Sequence, residues 1–498
     1  MTAWPQKPFL YEINTWVWLN NLSQKYSEKI TLHNVPDEVL DDIASYGLDA
    51  VWLMGVWTRS PRGAKQATRY AHEYRPALPD LTDDDIVGSA YAIYDYTVDK
   101  RLGGKDGLAV LRQRLAARGL RLVLDYVPNH MALDHPWVHE HPGYLMQGTL
   151  KDLKRRPSDF YQAEDVWGRR LVMAHGRDPY FPGWSDTVQV NAFNPEFRQA
   201  ARDTLLDIAS QCDGARCDMA MLLVNRIFAH TWSGYYREEE MPEEEFWPQV
   251  IPQIKAANPD FLFIAEVYWN MEHELQLQGF DYTYDKLLYD RLMSHPPRDV
   301  RVHLVAGIDY QRHLVRFIEN HDEPRVYAVL GPDKSRAAAV ITATLPGMTL
   351  LHQGQFTGRC IKLPVQIGRC QVEEPDIALD NFYHKLLAET RAEIYQQGSW
   401  RLFNLFPAWS GNPTYDNMVA YGWTQGDEYR LVIVNLTDIQ SQALVNLSAW
   451  QGLAGNQWRL DDTLNEHSYT WGGDVITQSG LFVELEAYSC HIFRFERV

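Results

Sequence analysis

The chain has 498 residues, 45% of them hydrophobic, which is enough for one large domain with appendages or for two to three ordinary ones. Its 47 Lys and Arg against 65 Asp and Glu leave a formal net charge of −18, which argues against nucleic acid or an anionic membrane as the main partner. No apolar run is long enough to span a membrane, and the opening residues lack the basic segment and apolar stretch of a secretory leader, so a cytoplasmic protein is expected.

The segments 9–19 (FLYEINTWVWL) and 49–57 (DAVWLMGVW) read as buried strands. Residues 107–119 place Leu108, Leu111 and Leu115 on one helical face and stop at Gly119, and a strand over 120–127 follows. The same helix-then-strand order recurs with 196–212 before 213–219, and with 246–259 before 260–267. Such alternation over some 390 residues predicts a parallel α/β architecture. About eight strand candidates suit a barrel, although periodicity alone also fits a doubly wound sheet. Two parts break the rhythm. Residues 131–187 are polar and aromatic with little period and read as an insertion after the 120–127 strand; from about 397 onward the pattern is strand-rich and antiparallel.

Other features read as structural. The acidic run at 236–246 is a solvated helix start, and the glycine-rich RLGGKDG at 101–107 lacks phosphate-loop spacing and a clear preceding strand. Five cysteines (Cys212, Cys217, Cys360, Cys370 and Cys490) have no zinc spacing and read as free thiols, with Cys212 and Cys217 buried beside a strand. Seventeen Trp, 27 Tyr and 18 Phe serve mainly the core, though flat rings also suit the apolar faces of sugars.

Four strand ends carry the chemistry. Asp125 with Asn129 and His130, Arg216 with Asp218, Glu266, and His321 with Asp322 each close an apolar run. Burying such groups without partners is costly, whereas the C-terminal ends of parallel barrel strands converge on one open face. Singly, each is explained by a surface carboxylate or a structural ion pair; four in order are not.

In order and local pattern these segments resemble the four sequence regions of the α-amylase superfamily, glycoside hydrolase family thirteen. The match is D-x-V-x-N-H at 125–130, G-x-R-x-D at 214–218, a strand-ending Glu266, and N-H-D at 320–322, with further similarity at 88–99, 181–198 and 345–355. It covers roughly residues 9–395. The resemblance implies a (β/α)8 TIM barrel (1–130 and 188–395) with an inserted domain after the third strand (131–187) and a C-terminal antiparallel β domain, a β-sandwich over 396–498. The implied reaction is retaining cleavage of an α-glucoside by double displacement, with Asp218 as nucleophile and Glu266 as acid/base about 5–5.5 Å away. It further implies that Asp322, His321 and His130 hold hydroxyls of one ring, that Tyr91 stacks beneath it, that Arg216 favours the Asp218 carboxylate, and that Asp125 and Asn129 support the site. Glu266 must carry a proton near neutrality, so its pKa should be raised.

Departures from the pattern matter. Many starch-cleaving members carry Lys and His three and four residues after the nucleophile, where this chain has Met221 and Leu222, which puts long-chain amylase action in doubt. Asn129 resembles a calcium ligand of calcium-binding amylases, but the rest of that site has no counterpart; no cofactor is required and the metal stays unassigned. The basic residues of 352–370 (His352, Arg359, Lys362 and Arg369) either face an anionic acceptor such as phosphate or pair with acidic surface, and the latter is favoured. The reading is a hydrolase of short α-glucans or α-glucosides, alternatively a glucosyl transferase or phosphorylase sharing its covalent intermediate. A silent carbohydrate-binding protein is disfavoured because Asp218 and Glu266 are both present.

Overall fold

Buried apolar runs, each released into a polar turn, make the eight strands of the barrel. The computed structural model describes residues 3–498. The strands are β1 (Phe9–Asn14), β2 (Ala50–Met54), β3 (Arg121–Tyr126), β4 (Gly214–Cys217), β5 (Leu262–Ala265), β6 (Tyr282–Tyr284), β7 (Leu314–Arg316) and β8 (Met348–His352). They close in sequence order, all parallel, and β8 pairs back onto β1. The helix over Gly104–Ala116 buries Leu108, Leu111 and Leu115, as its 3.6-residue spacing requires. At the start of β8, Gly347 has φ +99°, and a Cβ there would lie 2.3 Å from the Leu314 carbonyl, so only glycine fits that turn.

Two expected strands are shorter than the sequence pattern indicates. The 9–19 run is a strand only to Asn14; Thr15–Tyr26 is helical. The Asn14 side chain accepts from the Val17 N–H at 3.4 Å, a helix N-cap that outweighs the β-preference of Trp16, Val17 and Trp18. The 49–57 run breaks at Gly55, φ +78°, and Trp57–Arg59 leaves the barrel to pair antiparallel with Ile93–Val98. That last strand also precedes the glycine-rich 101–107 segment, which opens a helix at Gly104. The irregular 131–187 stretch is held by two small antiparallel pairs, His130–Ala132 with Thr187–Gln189 and Phe160–Glu164 with Arg170–Ala174. Within 236–246 a short 3-10 turn leads into a helix that begins at Phe246.

Beyond residue 398 the chain forms a six-stranded and a three-stranded antiparallel sheet. Alternation along Met418–Gln425 and Glu428–Asn435 sends Val419, Tyr421, Val432 and Val434 toward the barrel core. It sends Met418, Ala420, Leu431 and Ile433 toward the three-stranded sheet. These two central strands are thus buried on both faces, which is why they read as nearly unbroken apolar runs, whereas the outer strands Ser399–Leu402 and Ser468–Gly472 keep exposed residues. Its clasp on the barrel is specific: the Trp423 indole N–H donates to the Thr344 carbonyl at 2.9 Å, and the Tyr421 and Thr344 hydroxyls lie 2.6 Å apart. All five cysteines are free, and Cys212 and Cys217 are buried. Among the described residues no helix is long and apolar enough to cross a membrane. Trp423→Ala removes the clasp and a buried ring, and is expected to cost about 3–5 kcal/mol in equilibrium urea unfolding. A loss under about 1 kcal/mol would mean that the sheet is tethered to the barrel without being packed on it.

Candidate active site

The register of the central strands brings the carboxylates together. Cys217 on β4 pairs with Ala265 on β5, so the next residues, Asp218 and Glu266, emerge side by side from adjacent strand ends. On the other flank Arg216 pairs with Asp125 of β3. Arg216 has no exposed surface, and its guanidinium meets three carboxylates: Asp218 Oδ1 at 2.7 Å, Glu266 Oε2 at 2.8 Å and Asp125 Oδ1 at 3.6 Å. The rings of Trp52, Tyr91 and Tyr284 surround it with their centroids 5.2–5.8 Å from the guanidinium carbon. Asp125 also accepts from the Trp52 indole at 3.2 Å, which makes it a support for Arg216.

The two carboxyls beside Arg216 are held differently. With Asp218 the guanidinium makes an aligned hydrogen bond, whereas its approach to Glu266 is an ion-pair contact without that alignment. Glu266 Oε2 also accepts the Met219 N–H at 2.7 Å, and Oε1 accepts the Tyr268 hydroxyl at 2.7 Å. Burial pushes the Glu266 carboxyl up to about 7, against the pull of Arg216 and with the push of the Asp218 charge. Burial also raises Asp218, again against Arg216. The aligned hydrogen bond from the cation favours the carboxylate form of Asp218.

Opposite them, the loop after β7 delivers His321 and Asp322. His321 Nε2 lies 3.1 Å from Asp322 Oδ2 and 2.7 Å from the Tyr91 hydroxyl, while Nδ1 lies 2.5 Å from Glu12 Oε1 on β1. Tyr91 stacks on the His321 ring with centroids 5.3 Å apart. Burial opposes the imidazolium, but Asp322 and Glu12 together hold the His321 pKa well above its ordinary value. Burial likewise opposes ionisation of Asp322 and Glu12, and His321 overcomes it, leaving both carboxyls below the usual range. About half of the Asp322 side chain faces an open cavity of about 360 Å³. Tyr91, His130, Trp184, Asp218, Glu266 and Tyr268 line it too, and its size is at the small end of small-molecule sites.

The remaining expected residues divide. His130 reaches the cavity, its ring centroid 4.9 Å from Trp184, and burial drives its pKa down to about 3, so it is neutral. Asn129 stays behind the wall, where its Oδ1 accepts from the Gln189 amide at 2.9 Å. Among the described residues no group of three or more His, Cys, Asp or Glu is placed to hold a metal ion. Met221 and Leu222 are buried in the core and offer nothing to the cavity. In the basic stretch Arg369 pairs with Asp80 and Asp85, while Lys362 donates to the Asp322 carbonyl at the edge of the site.

Glu12, Tyr268 and Trp184 escaped the reading of the sequence. A carboxylate inside the apolar run of β1 was the available signal for Glu12, since a fully buried Glu demands a partner. For Tyr268 the signal was its place two residues beyond Glu266; for Trp184 it was membership of the 181–198 segment of family similarity.

The His321–Glu12 pair sets a pH window for stability. The raised His321 contributes fully below its ordinary 6.5 and loses its contribution as pH rises through its higher folded value. The depressed Glu12 contributes fully above its ordinary 4.5 and loses its contribution as pH falls through its lower folded value. Glu12→Gln is therefore expected to cost most between those two values, about 3 kcal/mol in urea titrations at pH 5.5, and less toward pH 9. A cost independent of pH would show that the pair is not ionised.

Known proteins resemble this chain in sequence and in fold. Alpha-amylase 3 of Dictyoglomus thermophilum is 21% identical over 378 residues, 71% of this chain and 65% of that one. The alpha-1,4-glucan:maltose-1-phosphate maltosyltransferase of Cereibacter sphaeroides is 22% identical over 488 residues, 92% of this chain and 64% of its own length. This chain thus spans less than two thirds of either relative. Among solved structures, a maltogenic alpha-amylase from Thermotoga neapolitana superposes with a TM-score of 0.69 at 18% identity, over 98% of this chain and 99% of that one, a likeness of fold. The family model "Alpha amylase, catalytic domain" matches residues 37–286, half of the chain, and the chain belongs to that family.

Proposed function

We propose that the protein is a retaining hydrolase of short α-glucans or α-glucosides. The observation that carries this reading is the pair Asp218 and Glu266 at matched ends of adjacent strands, bridged by one buried guanidinium. Neighbouring strands lie about 4.8 Å apart, close to the roughly 5–5.5 Å carboxyl separation that retention requires. In the first step Asp218 bonds to the anomeric carbon while Glu266 gives its proton to the departing oxygen. In the second Glu266 takes a proton from water, whose oxygen displaces Asp218. Asp322 and the His321 imidazolium grip ring hydroxyls as positive charge grows on the sugar, Tyr91 packs beneath the ring, and neutral His130 donates a further hydrogen bond.

The same reading takes 131–187 as an inserted domain shaping the mouth and 396–498 as a sandwich bracing the barrel. Five free thiols accord with a reducing, cytoplasmic setting. Transfer to a sugar or phosphate acceptor is the second reading, favoured by the burial of Met221 and Leu222, which leaves the leaving-group side without the polar pair of starch-cleaving members.

A chromatographic product profile on short α-glucosides, with and without sugar or phosphate acceptors, separates the two readings. Free sugar unaffected by acceptors is expected, released first as the α-anomer in proton NMR. New glycosides or a sugar phosphate would replace hydrolysis by transfer, and an initial β-anomer would remove the covalent step. Glu266→Gln is expected to lower turnover about 10²- to 10⁴-fold, and a fully active variant would end its role as acid/base.

A further inference from the structure

The proton of the acid/base has only one oxygen on which it fits. Glu266 Oε2 faces the Met219 N–H at 2.7 Å and the Arg216 guanidinium at 2.8 Å, and neither group can accept a hydrogen bond. A proton on Oε2 would point at two donors. Met219 is held for this contact in the left-handed region, φ +43°, a conformation that non-glycine residues seldom adopt. The acid form of Glu266 therefore carries its proton on Oε1. The one hydrogen-bond partner of Oε1 is the Tyr268 hydroxyl, which donates when the carboxyl is ionised and accepts when it is protonated.

Tyr268 lines the same cavity as Asp218, Asp322 and Trp184, and the two residues that follow it, Trp269 and Asn270, are both left-handed at φ +64° and +59°. An acid must lie within about 2.6–3.2 Å of the oxygen it protonates, and the hydroxyl already occupies that position at 2.7 Å. A carboxyl O–H points at one acceptor at a time. The hydroxyl and the departing oxygen thus compete for a single place.

We propose that Tyr268 is a positioning residue for Glu266: its hydroxyl holds Oε1 in the free protein and yields that place to the glycosidic oxygen when the leaving sugar binds. This rests on the reading of Glu266 as the acid/base. In the step itself the proton passes from Oε1 to the glycosidic oxygen as the bond to the anomeric carbon breaks and its electron pair stays on that oxygen. Asp218 supplies the pair for the new bond, and Tyr268 ends with the proton it began with. The other charged or titratable groups facing Glu266 are Arg216 from β4, Asp218 beyond it, Tyr284 from β6 and Asp322 after β7. Tyr268→Phe leaves all of them in place.

The test compares the pH profiles of kcat/KM and kcat for wild type and Tyr268→Phe acting on maltotriose, whose leaving group needs the proton. The former profile reports the free enzyme and the latter the loaded one. Losing a donor to the carboxylate is expected to move the upper limb of kcat/KM to higher pH by about one unit, and to leave that of kcat where it was. Both limbs moving together would overturn the proposal, because the hydroxyl would then stay on Glu266 in the complex. Neither limb moving would overturn it as well. Titration of the Glu266 carboxyl stretch by infrared difference against Glu266→Gln gives the free-protein shift without turnover, and an unchanged titration in Tyr268→Phe counts against the proposal even if the variant is slow. An active Glu266→Gln would sink the acid assignment itself, whereas an inactive one with unmoved limbs in Tyr268→Phe would sink only the role of Tyr268.

Discussion

A guanidinium with no exposed surface, shared among three carboxylates, is the interaction on which the site depends. Arg216 cannot shed its proton, so burying it obliges the fold to supply anions. Asp125, Asp218 and Glu266 answer that demand from three consecutive strands, and the register of β3, β4 and β5 makes the answer geometric. Carboxylates brought together around a cation tolerate one another at a separation where they would otherwise repel. One cation thereby fixes which groups meet and how far apart they stand.

Sharing one cation among several anions also creates the difference that chemistry needs. Asp218 has the aligned hydrogen bond to the guanidinium, whereas Glu266 has the weaker contact and is pushed up to about 7. Across the cavity the polarity is inverted, with the His321 imidazolium between Glu12 and Asp322. The mouth of the barrel thus sets two carboxyls, held differently by one guanidinium, opposite a positive charge that is itself neutralised. Opposed environments for neighbouring carboxyls are how one cavity holds a proton donor and a nucleophile at the same pH.

The outer parts of the chain serve this geometry by constraint. Burying both faces of Met418–Gln425 and Glu428–Asn435 ties residues beyond 398 to the helix that ends at Thr344, four residues before β8. The segment between β3 and β4 supplies Trp184 to the cavity and, through Gln189, immobilises Asn129. Met221 and Leu222 turn inward to the core, whereas Tyr268 lines the cavity.

Periodicity and strand-end polarity in the sequence determined the alternating helices and strands and placed Asp125, Arg216, Asp218, Glu266, His321 and Asp322 at the ends of apolar runs, because a buried strand cannot hold a charge without a reason. The closed barrel and the roles of those residues came into view through resemblance, since periodicity alone fits an open sheet as well. The sequence misjudged where β1 stops, because aromatic and β-branched residues after Asn14 look like strand until the cap is seen. Glu12 announced in the sequence only that it needs a partner: the one it meets is His321, 309 residues away. The Tyr268 hydroxyl on Glu266 sits among three residues in left-handed conformations, Met219, Trp269 and Asn270, which no local propensity announces. Local pattern reports what each residue needs, whereas only the closed barrel decides which partner, from which strand, meets that need.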